Sequence, residues 1–341
     1  MMRLFILKIV IVSLVVTSSN WGQDFSKTGT AAAQFLKIPV GAKAIGSANT
    51  FGSFANDPSV LYWNPAGIAF FNDFEVNFDH LNWIADIPHD FLGIVVPIDD
   101  KSSFGISAVS VNYGNMERTT VEKPKGTGTT FDAIDLAFSV SYARALLEQV
   151  SVGITIKYVT QRIWNESAQT AAFDFGTILT PGFYDMKVGL MLSNFGPDLS
   201  LAGSDLIRSY DIDKNSASNP LFDSKLTTQS FNLPIHYSAS VAFSILGENA
   251  PIKSLNYNFS LALNAVHFND NPEHYSVGAE YSFFRMFFLR GGYIFNTDEG
   301  GLNYGFGIKL DVGPTSFLFD YAYSDMGIFD GVNVFSIGLK L

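Results

Sequence analysis

The side chains in this sequence that could carry out acid–base or metal chemistry are mainly its histidines. They are His80, His89, His236, His267 and His274. None belongs to an HExxH motif or forms a close pair with metal-ligand spacing. His89, His267 and His274 could lie beside Asp90 or Asp270, as in a hydrolase, but no nucleophile motif accompanies them. The sequence therefore predicts no catalytic residue, no metal, no cofactor and no enzymatic activity.

A second candidate lies in the longest irregular stretch, residues 196–233. Asp211, Asp213 and Asn215 alternate like part of a calcium loop, but the glycine and the closing glutamate of an EF-hand are absent. Because functional contacts concentrate on loops, the stretch is better interpreted as a solvated or partner-binding surface loop.

The composition shows what kind of scaffold must hold these residues. Of 341 residues, 15% are aromatic and only 16% are charged. A soluble surface needs more charge, so much of this surface should face something apolar. Yet no segment after residue 20 is long enough for a membrane helix. This combination predicts an all-β fold, a transmembrane antiparallel β-barrel. The net charge of −11 argues against nucleic acid as a partner.

From residue 73 onward, apolar and polar residues alternate with a period of two. The alternation predicts about 14 strands, at 73–84, 90–98, 103–114, 130–144, 149–162, 170–180, 186–195, 234–246, 255–268, 274–285, 286–296, 302–312, 315–324 and 332–341. One face is bulky and apolar, and the other is rich in glycine, serine, alanine and asparagine, which suits a lumen. Near Ala108-Val109 the phase changes, which we interpret as a bulge.

The connections between these strands predict the orientation of the barrel. Those on one side are short, whereas residues 115–129 and 196–233 lie on the other. Bacterial outer-membrane barrels have short periplasmic turns and long extracellular loops. We therefore expect a location in the bacterial cell outer membrane, with outer-membrane lipid around the wall.

Several charged residues fall on the predicted lumen face. They include Glu75, Asp79, Asp135, Lys157, Asp174, Glu280, Arg290 and Asp320. Their mixed signs predict pairing across the lumen and against a plug, with simple hydration of the interior as the alternative.

The chain before residue 73 divides into two parts. Residues 1–22 have a basic start, an apolar run and small residues, as in a signal peptide. Residues 23–70 have no strand period and are predicted to be a short helical or irregular luminal plug, with residues 24–27 as a loose periplasmic lead. The barrel then spans residues 71–341.

The most distinctive part of the plug is residues 54–70. Asn64-Pro65 is typical of a helix N-cap and first position, and Asn56-Asp57-Pro58 is a second turn signal. Two capped turns holding a buried aromatic cluster are the structural interpretation, and direct contact with a ligand is the functional one. The residues of this motif are Asn56, Asp57, Tyr62, Trp63, Asn64, Pro65, Ala66 and Gly67.

Residues 29–70 resemble the N-terminal region of the PorV/PorQ family, outer-membrane barrels related to the FadL long-chain fatty-acid transporters. The resemblance rests on residues 34–38, 41–42, 56–57 and 62–67. Residues 43–46 depart from the family pattern, which leaves the subfamily open.

For PorV-like proteins the resemblance implies a component of the type IX secretion system. Such a component receives cargo proteins by their C-terminal signal domain and hands them to the surface attachment complex. The alternative is a FadL-like passive channel for hydrophobic solutes or fatty acids. A structural barrel without a transport function is a third possibility.

Overall fold

The computed structural model describes residues 27–211 and 222–341. The predicted signal peptide and the centre of the long irregular stretch, including Asp213 and Asn215, lie outside these ranges.

Fourteen antiparallel strands form a closed barrel. They are β1 (Glu75–Trp83), β2 (Ile87–Asp99), β3 (Ser102–Glu117), β4 (Thr130–Leu147), β5 (Val150–Ile163), β6 (Glu166–Leu179), β7 (Lys187–Phe195), β8 (His236–Gly247), β9 (Tyr257–Phe268), β10 (His274–Phe283), β11 (Phe287–Phe295), β12 (Leu302–Val312), β13 (Thr315–Asp325) and β14 (Gly331–Lys340). The barrel closes where β1 pairs with β14, with Glu75 opposite Lys340. The prediction of an all-β, 14-stranded barrel is confirmed.

The remaining strands and the helices are short. The strands are Ala202–Gly203, Ile207–Tyr210, Phe222–Lys225 and Ile252–Lys253. The helices are α1 (Ala42–Gly46), α2 (Val60–Trp63) and the 3-10 turns Gln34–Lys37, Gly52–Phe54, Pro65–Phe70, Ile84–Asp86, Ser204–Leu206 and Gly327–Phe329. Among the described residues, no helix is long and apolar enough to cross a membrane.

The two faces of the wall differ as the period-two pattern predicts. On β5, Ser151 and Thr155 are 0% and 1% exposed, whereas Ile154 and Ile156 are 39% and 55% exposed. Large apolar side chains therefore cover the outside of the wall, and small or polar ones line the inside.

The predicted bulge at Ala108-Val109 is wrong. The pairing of β3 is continuous there, and its irregularity falls between Asn112 and Asn115. Val109 and Val111 are buried and point inward, because they pack in the same cluster as the N-terminal segment. An apolar residue on the inner face looks like a change of phase in the sequence.

Residues 31–71 lie inside the barrel and supply nearly half of its buried apolar core residues. Ala42, Val60 and Ile68 are fully buried and pack with inward residues of the strands. We call the barrel end with connections 100–101 and 313–314 the short-turn end, and the end with connections 118–129 and 196–235 the long-loop end.

The N-terminal segment runs from the long-loop end to the short-turn end. Ala31 pairs with Asn232 in the long connection, whereas the Leu341 backbone N–H donates to the Phe74 carbonyl at the other end, at 3.0 Å. Lys27 lies only four residues before Ala31 and therefore lies near the long-loop end, so a periplasmic lead at Lys27 is incompatible with the prediction that this end faces outward. The backbone pairing at Ala31 holds this part of the chain at the long-loop end.

Candidate functional site

Asn64 anchors the N-terminal segment to the barrel wall. Its side-chain oxygen accepts a hydrogen bond from the Ala66 backbone N–H at 3.1 Å, so it caps the turn Pro65–Phe70 as the Asn-Pro pair predicts. Its side-chain amide donates to the carbonyls of Thr177 on β6 and Leu190 on β7, at 3.2 and 3.3 Å. One side chain therefore both caps the turn and binds two neighbouring strands.

Glycines on the inner face make this close approach possible. A Cβ atom on Gly153 would lie 2.4 Å from the Ala66 backbone nitrogen, and one on Gly176 would lie 2.1 Å from the Asn64 side-chain oxygen. Contacts this short do not occur between real Cβ atoms and their neighbours. Only glycine at these two positions allows the backbone of the motif to lie directly on the strands.

The two aromatic residues before Asn64 are bound at their polar atoms. The Tyr62 hydroxyl donates to the Leu36 carbonyl at 3.0 Å, and the Trp63 indole N–H donates to the Val40 carbonyl at 2.9 Å. The rings meet edge to face at 5.0 Å between centroids. The structural interpretation of the motif therefore describes these two residues; both rings also line a cavity, and direct contact with a ligand stays a prediction.

The earlier turn of the motif is held in a similar way. A carboxylate oxygen of Asp57 accepts from the Ser59 backbone N–H at 2.9 Å, which forms an Asx turn. Asn56 is exposed to the interior space and accepts a hydrogen bond from the Lys43 ammonium. The motif residues thus hold two turns together inside the barrel.

The strongest charge cluster on the inner wall is built around Arg290 on β11. Its Nε donates to Glu280 on β10 at 2.7 Å, and its other arm reaches Asp320 on β13. The arm passes over Gly307 on β12, where a Cβ would lie 3.0 Å from the guanidinium nitrogen. The three side chains are 3%, 14% and 9% exposed, so the ion pairs are shielded from water.

A second cluster holds an irregular part of the wall. Lys157 on β5 lies 2.7 Å from a carboxylate oxygen of Asp174 on β6, and it donates to the Asn194 side chain at 2.8 Å. The other carboxylate oxygen accepts from the Asn194 backbone N–H at 2.8 Å. Asn194 has a φ of +60° and stands where the pairing of β6 with β7 shifts register.

The other predicted interior charges are buried with near partners. Asp135 accepts from Tyr113 at 2.8 Å and from Gln161 at 2.9 Å. Glu75 lies 3.4 Å from Lys340, and Asp79 accepts from Asn77 at 2.8 Å.

The partners of these charges lie along the wall on the same or nearby strands, so the predicted pairing across the lumen is wrong for them. The cause is the N-terminal segment, which fills the space between opposite walls. A different pair ties that segment to a connection: Lys37 binds Asp270 at 2.9 Å.

The histidines do not form a catalytic set in the described part of the chain. His89 is buried and points inward, and Asp90 binds His80 on the outer face at 2.7 Å. His267 binds Glu273 at 2.9 Å in a connection at the long-loop end. Hydrogen bonds from the Glu273 backbone and from the His267 ring lower the pKa of the Glu273 carboxyl. Within residues 27–211 and 222–341, no three acidic or histidine side chains are placed to hold a metal ion.

A cavity of about 290 Å³ opens towards the long-loop end. Aromatic and aliphatic side chains from the N-terminal segment, from β1 and from strands β8 to β13 contribute most of its wall surface, and polar side chains lie between them. The aromatic and aliphatic ones include Tyr62, Trp63, Trp83, Val266, Phe268 and Ile294. Ser53 also lines this cavity.

A second cavity, of about 190 Å³, lies towards the short-turn end, and Ser53 lines it as well. Its lining contains both apolar side chains, such as Phe54, Phe71 and Ile178, and charged side chains. Lys43 and Lys187, which the sequence analysis did not select, both face this space. The alternation of β7 could have identified Lys187, because it shares the inner face with Gly189 and Met191.

The fold resembles solved outer-membrane barrels of low sequence identity. The toluene transporter TbuX of Ralstonia pickettii matches with a TM-score of 0.53 and 12% identity, over 88% of this chain and 97% of the other. The toluene transporter TodX of Pseudomonas putida matches with a TM-score of 0.53 and 13% identity, over 88% and 96%. A FadL homologue of Pseudomonas aeruginosa has a TM-score of 0.49 and 14% identity, over 88% and 98%.

At the sequence level, residues 11–174 match the model of an uncharacterised protein family, UPF0164. No curated protein matches the chain. The chain therefore shares the fold of the two toluene-transporter barrels, and its closed 14-stranded wall with an apolar outer face supports a bacterial outer-membrane location.

Proposed function

We propose that the protein is an outer-membrane channel that lets small hydrophobic solutes pass through the barrel interior, gated by residues 23–70 as a plug. The observation that carries this proposal is the apolar cavity at the long-loop end. Its aromatic walls bury apolar surface, while the ring nitrogens of His236 and His274 and a few amides offer sites for orientation. The toluene transporters with this fold make such solutes a natural class to test.

The region around Ser53 is the proposed gate. Ser53 lines both cavities, so the turn Gly52–Phe54 borders the two spaces. The turn is held by a hydrogen bond in which Ser240 donates to Ser53 at 3.0 Å, and by the Trp63 ring, which lies directly on Gly52. A small rearrangement of this turn would join the two spaces into one path.

Uptake of a neutral fluorescent probe, N-phenyl-1-naphthylamine, tests the proposal. The probe brightens on entering a bilayer, so intact Gram-negative cells carrying the protein should show a faster rise than cells without it. Val266→Trp places a large ring in the long-loop-end cavity and should slow that rise. Leu263→Trp is the matched control, because Leu263 lies on the outer face of the same strand and is 41% exposed.

Two results would contradict the channel. The first is uptake of the probe by wild-type cells that is no faster than uptake by cells lacking the protein. The second is equal uptake by the two tryptophan variants. Heat-modifiable migration in gel electrophoresis would show that each variant has closed into a barrel, so that slow uptake is not caused by misfolding.

We infer a second candidate, the PorV-like carrier of type IX secretion, from the long connection between β7 and β8. Strands Ile207–Tyr210 and Phe222–Lys225 pair as a separate hairpin in it. Ile207, Tyr210 and Phe222 are 44%, 58% and 49% exposed. An exposed apolar hairpin at the long-loop end supports binding of a protein partner, such as secreted cargo or an attachment-complex protein.

A pull-down from solubilised membranes distinguishes the two candidates. Capture of secreted proteins that share a C-terminal signal domain would support the carrier, and its loss on replacing Tyr210 and Phe222 by serine would locate the contact. Recovery of bound hydrophobic molecules alone, with no protein partner, would favour the channel.

A further inference from the structure

The apolar outer face of the barrel is interrupted beside the seam where β1 pairs with β14. On β1 the outward side chains are apolar up to Phe78, and the next two towards the long-loop end are His80 and Asn82. The outward series of β2 reaches Asp90 at the register of His80, and that of β14 reaches Asn333 at the register of Asn82. We call these four polar residues the seam patch.

The apolar face extends farther towards the long-loop end on both sides of the seam patch. Leu136 on β4 and Phe306 on β12 lie on the same line of paired residues as His80. Beyond this line the outward face remains apolar or aromatic for two residues on β4, up to Ile134, and for four on β12, up to Leu302. At about 3.3 Å per residue, the seam patch shortens the apolar face by about 10 Å along the strands.

The polar groups of the seam patch are incompletely bonded. Nδ1 of His80 lies 2.7 Å from one carboxylate oxygen of Asp90, and Nε2 lies 3.2 Å from the side-chain oxygen of Asn82. In the part of the chain that the structure describes, the second oxygen of Asp90 and the side-chain nitrogens of Asn82 and Asn333 have no hydrogen-bond partner. Polar groups facing lipid are costly unless they are paired, so a partner that bonds to them would stabilise this face.

The connection next to the seam patch at the long-loop end is exposed and apolar. It is the turn Gly327–Phe329 between β13 and β14, in which Ile328 and Phe329 are 75% and 56% exposed. The neighbouring connection between β1 and β2 is the short turn Ile84–Asp86. No long loop therefore joins these strands, and a protein partner can cover the patch and the apolar turn together.

The arrangement of the charges fits a second copy of the same chain. Copies in one membrane have the same orientation, so a twofold axis between them runs parallel to the barrel axis. Because His80 and Asp90 lie opposite each other on neighbouring strands, an axis between β1 and β2 sets His80 of each copy against Asp90 of the other. The four charged groups then alternate in sign, and the free amide of Asn82 can donate to the free oxygen of Asp90 across the axis.

We propose that two copies of the protein associate side by side in the outer membrane through the seam patch and the turn Gly327–Phe329. Each copy supplies the hydrogen bonds that the other lacks, and the shortened apolar face is removed from lipid. A short apolar face that is relieved by oligomerisation is a known response to the thickness of a bilayer. The dimer does not depend on the proposed passage of solutes, because each barrel keeps its own interior.

Cysteine crosslinking tests the contact, because the sequence contains no cysteine. Asn82→Cys places a thiol in the proposed interface, and oxidation with copper phenanthroline in isolated outer membranes should give a disulfide-linked dimer. Tyr237→Cys is the matched control. Tyr237 faces outward near the long-loop end of β8, seven strands away from β1, and this variant should form a dimer at least about tenfold more slowly.

Two charge variants in the Asn82→Cys background test the pairing of His80 with Asp90. His80→Asp leaves only carboxylates at the two positions, and Asp90→His leaves only imidazoles. Each variant alone should crosslink about tenfold more slowly, because like groups then face each other. Coexpression of the two variants with different affinity tags should restore crosslinking as a mixed dimer, since each carboxylate again faces an imidazole.

Three outcomes would overturn the proposal. The first is crosslinking of Asn82→Cys that is no faster than that of Tyr237→Cys. The second is a coexpressed pair that crosslinks as slowly as either charge variant alone. The third is a disulfide from Asn82→Cys to an unrelated protein in place of a second copy. Heat-modifiable migration of each variant shows that a slow rate is not caused by misfolding.

Discussion

The contact between Gly153 and the Asn-Pro turn offers the sharpest test of how the N-terminal segment is seated. Gly153→Ala adds one methyl group at a point where the new Cβ would lie 2.4 Å from the Ala66 nitrogen and 2.5 Å from the Pro65 carbonyl carbon. Both atoms belong to the backbone of a turn capped by Asn64, so neither can rotate away. The turn must move as a unit or the strand must bend.

The expected cost follows from two opposing effects. Overpacking a well-filled core costs about 1–3 kcal/mol. Replacing a strand glycine by alanine stabilises by about 0.5–1 kcal/mol where there is room, because the unfolded chain loses freedom. The net loss for Gly153→Ala should therefore be about 1–2 kcal/mol.

Gly291→Ala is the matched control. Gly291 also lies in a barrel strand, and a Cβ there meets only the Asn303 carbonyl oxygen, at 3.9 Å. This change should leave stability unchanged or raise it by up to about 1 kcal/mol. Reversible urea unfolding of both variants in lipid vesicles, followed by tryptophan fluorescence, measures the difference. Equal stabilities for the two variants would refute the close packing of the turn on β5.

Three further predictions address the wall, the charge cluster and the orientation. Ile154→Arg places a charge on the lipid-facing side of β5 and should lower the unfolding free energy in vesicles by about 2–4 kcal/mol; Ile154→Val should cost about 1 kcal/mol or less. Arg290→Met leaves two buried carboxylates unpaired and should cost about 3–5 kcal/mol in the same assay, most of which should return when Glu280→Gln and Asp320→Asn are added. An epitope tag inserted after Tyr210 should bind antibody on intact cells, whereas binding only after permeabilisation would reverse the proposed orientation.

The strands could be predicted from the sequence because most inner positions are small or polar and the outer positions are apolar. This difference gives the alternation with a period of two. The pattern misleads only where the wall meets the N-terminal segment. Val109 and Val111 are apolar on the inner face since they pack against that segment, and the sequence alone cannot show which stretch of strand has such a neighbour. The Asn64 cap is a local feature and was predictable, but its bonds to Thr177 and Leu190 depend on the closed barrel.

The direction of the N-terminal segment could not be predicted for a related reason. Strand direction follows from counting, because each antiparallel strand reverses the last. No comparable rule fixes the direction in which a segment of short turns runs through the barrel. The pairing that shows this direction, between Ala31 and Asn232, joins residues about two hundred positions apart in the chain. Lys43 and Lys187 lie about 140 positions apart, so their shared cavity is likewise a property of the folded barrel.

The seam between β1 and β14 has a consequence for assembly. It joins Glu75 to Lys340, so it is among the pairings most distant in sequence, and its loop-closure cost is high. Residues 31–71 precede β1 directly and lie inside the ring that this seam completes. The segment has close glycine contacts with β5 and β6 through the Asn-Pro turn, and with β10 and β11 through Ser47 and Ala48. All of these strands precede β14, so the segment can settle on the growing sheet before the last strand arrives. The N-terminal segment would then pack on the sheet first, and β1 would pair with β14 last. A barrel that closed earlier would leave this segment outside its interior.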